Sequence, residues 1–183
     1  MDKTTGIITT VAGDESNYYH GDGGQATSAG VQSPNALALD SADNLYIAES
    51  VGRIRKVTKA TGVITTVAGN GDAGSSGDGG AARSAEITPW GIAIDPSGNL
   101  FIADGWNAVR EVFSATGIIS TAAGNGFCGS GGDGGSATIA ELCAPSAVAF
   151  GTGGSFYIAD SSNYRVRKVA RPPTGKAVRA TFR

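Results

Sequence analysis

Gly62-Val63-Ile64-Thr65-Thr66-Val67-Ala68-Gly69 decides how this chain is read, because the phrase occurs three times. It stands earlier as Gly6-Ile7-Ile8-Thr9-Thr10-Val11-Ala12-Gly13 and later as Gly117-Ile118-Ile119-Ser120-Thr121-Ala122-Ala123-Gly124. β-Branched residues dominate the phrase and glycine closes both ends, the composition of a short strand held between turns. About 55 residues separate the copies. Self-similarity at a fixed spacing of this order is the mark of a repeat architecture.

The flanks repeat as well. Gly-Asp-Gly-Gly begins at Gly21, Gly77 and Gly132, and a proline follows each time at Pro34, Pro89 and Pro145. Asn44-Leu45-Tyr46-Ile47-Ala48-Glu49 returns as Asn99-Leu100-Phe101-Ile102-Ala103-Asp104 and as Ser155-Phe156-Tyr157-Ile158-Ala159-Asp160. Ile54-Arg55-Lys56-Val57 returns as Val109-Arg110-Glu111-Val112 and Val166-Arg167-Lys168-Val169. Each period thus holds four apolar segments separated by turn chemistry, here called a, b, c and d from the inside outward. Segment a covers 36–40, 91–95 and 147–151. Segment c alternates apolar and basic residues, as a strand with one wet face does. Four antiparallel strands per period, repeated radially, describe an all-β propeller built of four-stranded blades.

The set Pro-x-x-(Ala/Ile)-(Leu/Ala)-x-Asp, Asn-Leu-(Tyr/Phe)-Ile-Ala-(Asp/Glu) and Arg-x-Arg-Lys-Val resembles the NHL repeat. The Gly-Asp-Gly-Gly loop is similar to the long-loop variety in bacterial secreted proteins and in the NHL domain of teneurins. The resemblance spans nearly the whole chain and implies an NHL-like β-propeller. It carries little about function, since the fold hosts binding scaffolds, RNA binders and a few enzymes.

The phase of the repeat carries an expectation of its own. Asp2-Lys3-Thr4-Thr5-Gly6 matches the c-to-d turn Thr58-Lys59-Ala60-Thr61-Gly62, so the order reads d-abcd-abcd-abc. Three blades are expected over 1–170, with 171–183 a basic tail or a weak closing strand over Lys176 to Phe182. NHL-like rings commonly have six blades, so this half-propeller is expected to be completed by a second chain as a homodimer. Strand d at Gly6 to Gly13 is expected to add to segment c of the partner near Val169. A filament of head-to-tail strand exchange is the alternative, and a fragment of a larger NHL-containing surface adhesin or receptor is another.

Composition excludes several classes. Of 183 residues 40% are hydrophobic, 16% are charged and 29 are glycine, with a formal net charge of −2. Such a balance gives no field for nucleic acid. No segment is apolar and long enough to span a bilayer, and the start of the chain lacks a signal-peptide core.

Strand geometry places the long d-to-a loops and the b-to-c turns on one face, where recognition by a rigid scaffold usually sits. Tyr18, Tyr19, His20 and Trp90 belong to the first kind of connection, and Glu49, Asp104, Trp106, Asp160 and Tyr164 to the second. Of these, Trp90, Trp106, Tyr18, Tyr19, His20, Asp104, Asp160 and Tyr164 form the expected binding face for an unknown protein or glycan. Asp22, Asp78 and Asp133 recur in all three loops, which points to a structural role as helix caps or turn holders. Calcium is the functional alternative there, although one carboxylate per loop is a poor cage. No other metal or cofactor is expected.

Cys128 and Cys143 bracket the third Gly-Asp-Gly-Gly and have no cysteine counterparts in the other loops. A disulfide clamping that loop is expected, and with it an extracytoplasmic or secreted location. One histidine, no phosphate loop with its lysine and no nucleophile set argued from spacing leave an enzyme, a lyase or hydrolase of the NHL-like group, as the weakest reading.

Overall fold

The computed structural model describes residues 6–170. The turn expected over 2–5 and the closing strand expected over Lys176 to Phe182 lie outside those residues.

Each period folds as a sheet of antiparallel neighbours. Blade 1 is β1 (Pro34–Leu39), β2 (Leu45–Glu49), β3 (Arg53–Val57) and β4 (Ile64–Ala68), hydrogen-bonded in that order. Blade 2 repeats it with β5 (Pro89–Ile94), β6 (Leu100–Asp104), β7 (Ala108–Val112) and β8 (Ile119–Ala123). Blade 3 comprises β9 (Pro145–Phe150), β10 (Phe156–Asp160) and β11 (Arg165–Val169) among the described residues. The arrangement is all-β, three successive antiparallel blades of the propeller type. Strand a begins two residues earlier than the apolar pattern suggests. In β1 and β5, Pro34 and Pro89 pair across a bulge with Glu49 and Asp104, and a proline is tolerated as the first residue of a strand.

Blade-on-blade packing explains which strands are apolar throughout. β6 and β7 of the middle blade are buried along their whole length, because a neighbour covers each face. Tyr46, Ala48 and Ile54 of blade 1 meet Ile92, Leu100 and Ile102 of blade 2 in one core. Phe101 of blade 2 meets Val148 and Phe156 of blade 3 in the next, with Phe101 edge-on to Phe150 at 4.9 Å. The inner strands crowd most closely at Gly91, where a Cβ would lie 2.3 Å from the Ser146 carbonyl oxygen. Only glycine fits that approach.

The two end faces of the arc are apolar and open. Leu37 is 63% exposed, against 8% for its counterparts Ile92 and Val148. At the other end Val166 is 74% exposed, while its counterparts Ile54 and Val109 are fully buried.

The first strand d departs from expectation. Residues 6–11 carry no regular secondary structure, with Ile7, Ile8 and Val11 exposed, and among the described residues they join no ladder. Only the end of the segment is docked: the Gly13 amide donates to the Ala26 carbonyl at 2.9 Å, as Gly69 does to Ala82 and Gly124 to Ala137. The cause is the lack of a strand c beside it among the described residues, since a strand without a partner has nothing to fix its pairing.

Candidate functional site

The long loops enter each blade from the same face and are built around the Gly-Asp-Gly-Gly motif. Its first glycine has a positive φ in every copy, and a Cβ there would lie 2.7, 2.9 and 2.6 Å from the Cα atoms of Ala29, Ala85 and Ala140. The motif then clips onto strand d of its own blade. The Gly23 amide donates to the Ile64 carbonyl, Ile64 donates back to Gly24, and Ala26 donates to Gly62. Gly79, Ile119, Gly80, Ala82 and Gly117 repeat the pattern in blade 2.

The aspartate of the motif reaches further in. Asp22 accepts the Arg55 Nε–H at 2.9 Å on one oxygen and the Thr66 amide at 2.9 Å on the other. Asp78 does the same with Arg110 at 3.1 Å and Thr121 at 2.8 Å, and Asp133 pairs with Arg167 at 2.6 Å. These aspartates do not cap the short 3₁₀ turns that follow, whose cap residues Gln25, Ala81 and Ser136 make no side-chain cap bond. The guanidinium beside each of these carboxylates repels a divalent ion, so the donors present suit an arginine partner better than the calcium alternative.

Behind each arginine sits a second acid. Arg55 lies 3.4 Å from Glu49, Arg110 3.5 Å from Asp104 and Arg167 3.5 Å from Asp160. Asp104 and Asp160, expected on the contact face, are fully buried, which corrects that expectation. Their oxygens turn inward to the arginine and to loop amides, Trp106 and Thr88 donating to Asp104 and Cys143 to Asp160. Burial pushes the Glu49 and Asp104 carboxyls up despite the arginines, with the Trp106 amide also opposing it at Asp104. Partial burial works the same way at Asp22 and Asp78, yet there the Thr66 and Thr121 bonds together with the arginines hold the carboxyls below the usual value. Sequence reading missed the three arginines. The available signal was an arginine in segment c recurring in step with each Gly-Asp-Gly-Gly.

Cys128 and Cys143 form a disulfide, with Cα atoms 4.3 Å apart, that clamps the loop over the third acid–arginine pair. Asn163 reaches under it to the Gly129 carbonyl at 2.6 Å.

The remaining aromatic candidates stay at the surface and split into separate groups. Tyr19 packs over blade 1, its ring 4.0 Å from the Arg53 guanidinium and its hydroxyl 3.2 Å from Thr66. Tyr18 stacks on His20 at 4.8 Å. His20 joins Ser16 and Asp14, a trio not apparent from spacing. Both the Ser16 hydroxyl at 2.8 Å and the Asp14 carboxylate at 3.2 Å meet the same imidazole atom, Nε2. An activated serine needs the acid on the other ring nitrogen, so this geometry does not build a nucleophile. Tyr164 is 95% exposed and sits at φ 55°, where blades 1 and 2 carry Gly52 and Asn107. A bulky residue in the left-handed region is uncommon.

Trp90 and Trp106 belong together on blade 2. The Trp90 ring lies against Gly105, the chain neighbour of Trp106. Trp106 then forms one wall of a cleft of about 700 Å³ between the loops that enter blades 2 and 3. Ser75, Glu86, Thr121, Asn125 and Thr138 supply polar groups around it.

Comparisons with known proteins agree with this architecture. Residues 142–169, which include the three described strands of blade 3, match the NHL repeat. No curated protein matches the sequence. Among solved structures, a protein of unknown function from Bacteroides thetaiotaomicron aligns at 23% identity with a TM-score of 0.58, over 69% of this chain and 32% of its own. An auxiliary nutrient binding protein from the same organism aligns at 20% identity and TM-score 0.57, over 73% of this chain and 36% of its own. A gluconolactonase from Xanthomonas campestris is similar at 17% identity and TM-score 0.44, over 68% and 34%. The chain therefore spans about a third of the length of these structures.

Proposed function

We propose that this chain is a non-enzymatic, extracytoplasmic binding module that takes a glycan in the Trp106 cleft and works as a ring completed by a second copy. The cleft carries the reading. An exposed indole face offers a surface for the C–H face of a sugar, and the hydroxyl, amide and carboxylate groups of Ser75, Asn125 and Glu86 suit sugar hydroxyls. The Bacteroides nutrient-binding protein of similar fold is consistent with a binding role. The disulfide favours an oxidising compartment, and no helix among the described residues is long and apolar enough to cross a membrane.

The open apolar end faces support completion by a second copy, because Tyr157 and Val166 at one end match in kind the Leu37 and Leu39 at the other. A second reading, part of a larger NHL-containing surface protein, draws support from the third of the matched structures that this chain spans.

Glycan-array screening followed by titration of the best hit tests the binding role. Trp106→Ala is expected to abolish binding while the unfolding curve stays unchanged, and Trp90→Ala to weaken it. Turnover of a small substrate with no affinity for any glycan would overturn the reading.

A further inference from the structure

The structure offers a place for strand d on blade 3. In blade 1, Ile64 is fully buried against Ala26, Ile47 and Val57, and in blade 2 Ile119 is buried in the same way near Ala82, Ile102 and Val112. The matching residues of blade 3, Ala137, Ile158 and Val169, line a cleft of about 400 Å³ beside β11. Gly134 and Arg167 line it too. The loop that clips strand d is already folded there: Gly135 donates to Gly132 at 3.1 Å, as Gly24 does to Gly21 at 3.0 Å and Gly80 to Gly77 at 3.1 Å. Among the described residues Asp133 is held by Arg167, but it receives no strand-d amide of the kind that Thr66 gives Asp22 and Thr121 gives Asp78.

The same chain carries a strand of the right sequence without a ladder. Ile8 corresponds to Ile64 and Ile119 and is 96% exposed, whereas both of those are fully buried. Thr10 corresponds to Thr66 and Thr121. The segment cannot reach blade 3 of its own chain, because Gly13 is tied to Ala26 of blade 1 and blade 2 stands between.

We propose that Gly6–Gly13 of a second copy fills this cleft as the fourth strand of blade 3, with Asp133 as its latch. Resting on the two-copy ring described above, the exchange follows the register of the complete blades, where Val57 pairs with Ile64, Lys56 with Thr65 and Arg55 with Thr66. Val169 then pairs with the incoming Ile8, Lys168 with Thr9 and Arg167 with Thr10. The Ile8 side chain enters the apolar cleft. The Thr10 amide donates to Asp133, Gly134 donates to the Ile8 carbonyl, and Ala137 donates to Gly6. Two such exchanges, related by a two-fold axis along the ring, pair both loose strands and cover both bare edges.

The test is a cysteine pair, Thr9→Cys with Lys168→Cys, in the full chain. Both positions are exposed, and directly opposed antiparallel residues lie within disulfide reach. A covalent dimer on a non-reducing gel is the expected result. A dimer by solution mass with two free thiols overturns the exchange and leaves the ring, with residues 176–182 the other candidate for the slot. A ladder of higher multimers overturns the closed pair in favour of a filament. A monomer overturns both the exchange and the ring. Ile8→Asp gives an independent check: the exchange predicts a rise of about tenfold or more in the dimer dissociation constant, since a carboxylate would enter an apolar cleft. An unchanged dimer of Ile8→Asp contradicts it, because the side chain is then still in water.

Discussion

The Arg55 guanidinium lies 2.8 Å from Asp22 and 3.4 Å from Glu49, with its side chain fully removed from solvent. Asp22 belongs to a surface loop and Glu49 to the end of an interior strand, so one arginine ties the loop to the blade. Arg110 between Asp78 and Asp104 repeats the arrangement. A buried pair of this sort adds little over a well-packed apolar core, but removing one partner strands the other.

Arg110→Met is therefore expected to destabilise the fold by about 3–5 kcal/mol, because Asp104 is left charged and buried without its counter-ion. Urea unfolding of the variant measures this. The double variant Arg110→Met with Asp104→Leu is expected to recover much of the loss. A single variant as stable as the parent would mean that the pair carries no weight.

Acid should loosen the same loops. Asp22 and Asp78 have folded-state pKa values below the ordinary 3.8, so their stabilisation is full well above that value and is lost progressively as pH falls from it through the lower folded-state values. Glu49 and Asp104 act with the opposite sign, because their raised values mean that protonation relieves a penalty in the folded state. Asp22→Asn and Asp78→Asn together are expected to lower stability at neutral pH and to flatten the acid limb of the melting profile. An acid limb as steep as the parent's would assign it to other carboxylates.

The repeat made the blades readable because every strand landmark recurs in one order. β-Branched alternation in Ile64 to Ala68 and the Thr-Gly turn before it leave few other folds available. The acid–arginine pairs were hidden for a physical reason. Arg55 and Arg110 stand in strands that alternate with apolar residues, and alternation places a polar side chain on a wet face, whereas here the loop closes over it. Asp104 and Asp160 stand at the b-to-c connections, which strand geometry places on the loop face, but their carboxylates turn inward to the arginines. Trp90 and Trp106 were legible as blade-specific residues, but the cleft beside Trp106 is formed by two loops more than thirty residues apart along the chain, which spacing alone does not join.

Tyr164 occupies a left-handed backbone position at φ 55°, ψ 39°. Tyr164→Asn is expected to stabilise the chain by about 1 kcal/mol, because asparagine tolerates that conformation better. Differential scanning calorimetry reads the shift. A loss of stability would show that the tyrosine makes a contact worth more than its strain.

Reducing the Cys128–Cys143 bond is expected to cost about 3 kcal/mol, the loop-closure value for a loop of about 15 residues. Hydrogen exchange should then increase in the loop over residues 125–144 before it does in blades 1 and 2. Uniform loosening of all three blades would contradict a local clamp.

The mass of the intact chain in solution at micromolar concentration is the deciding measurement, taken by light scattering on a size-exclusion column. A ring completed by a second copy predicts a single species at twice the 18.2 kDa of one chain, and a variant lacking residues 1–13 that falls to the single-chain mass or aggregates. A stable, cooperatively unfolding monomer of 18.2 kDa would contradict it, because the open faces at Leu37 and Val166 would then need no cover.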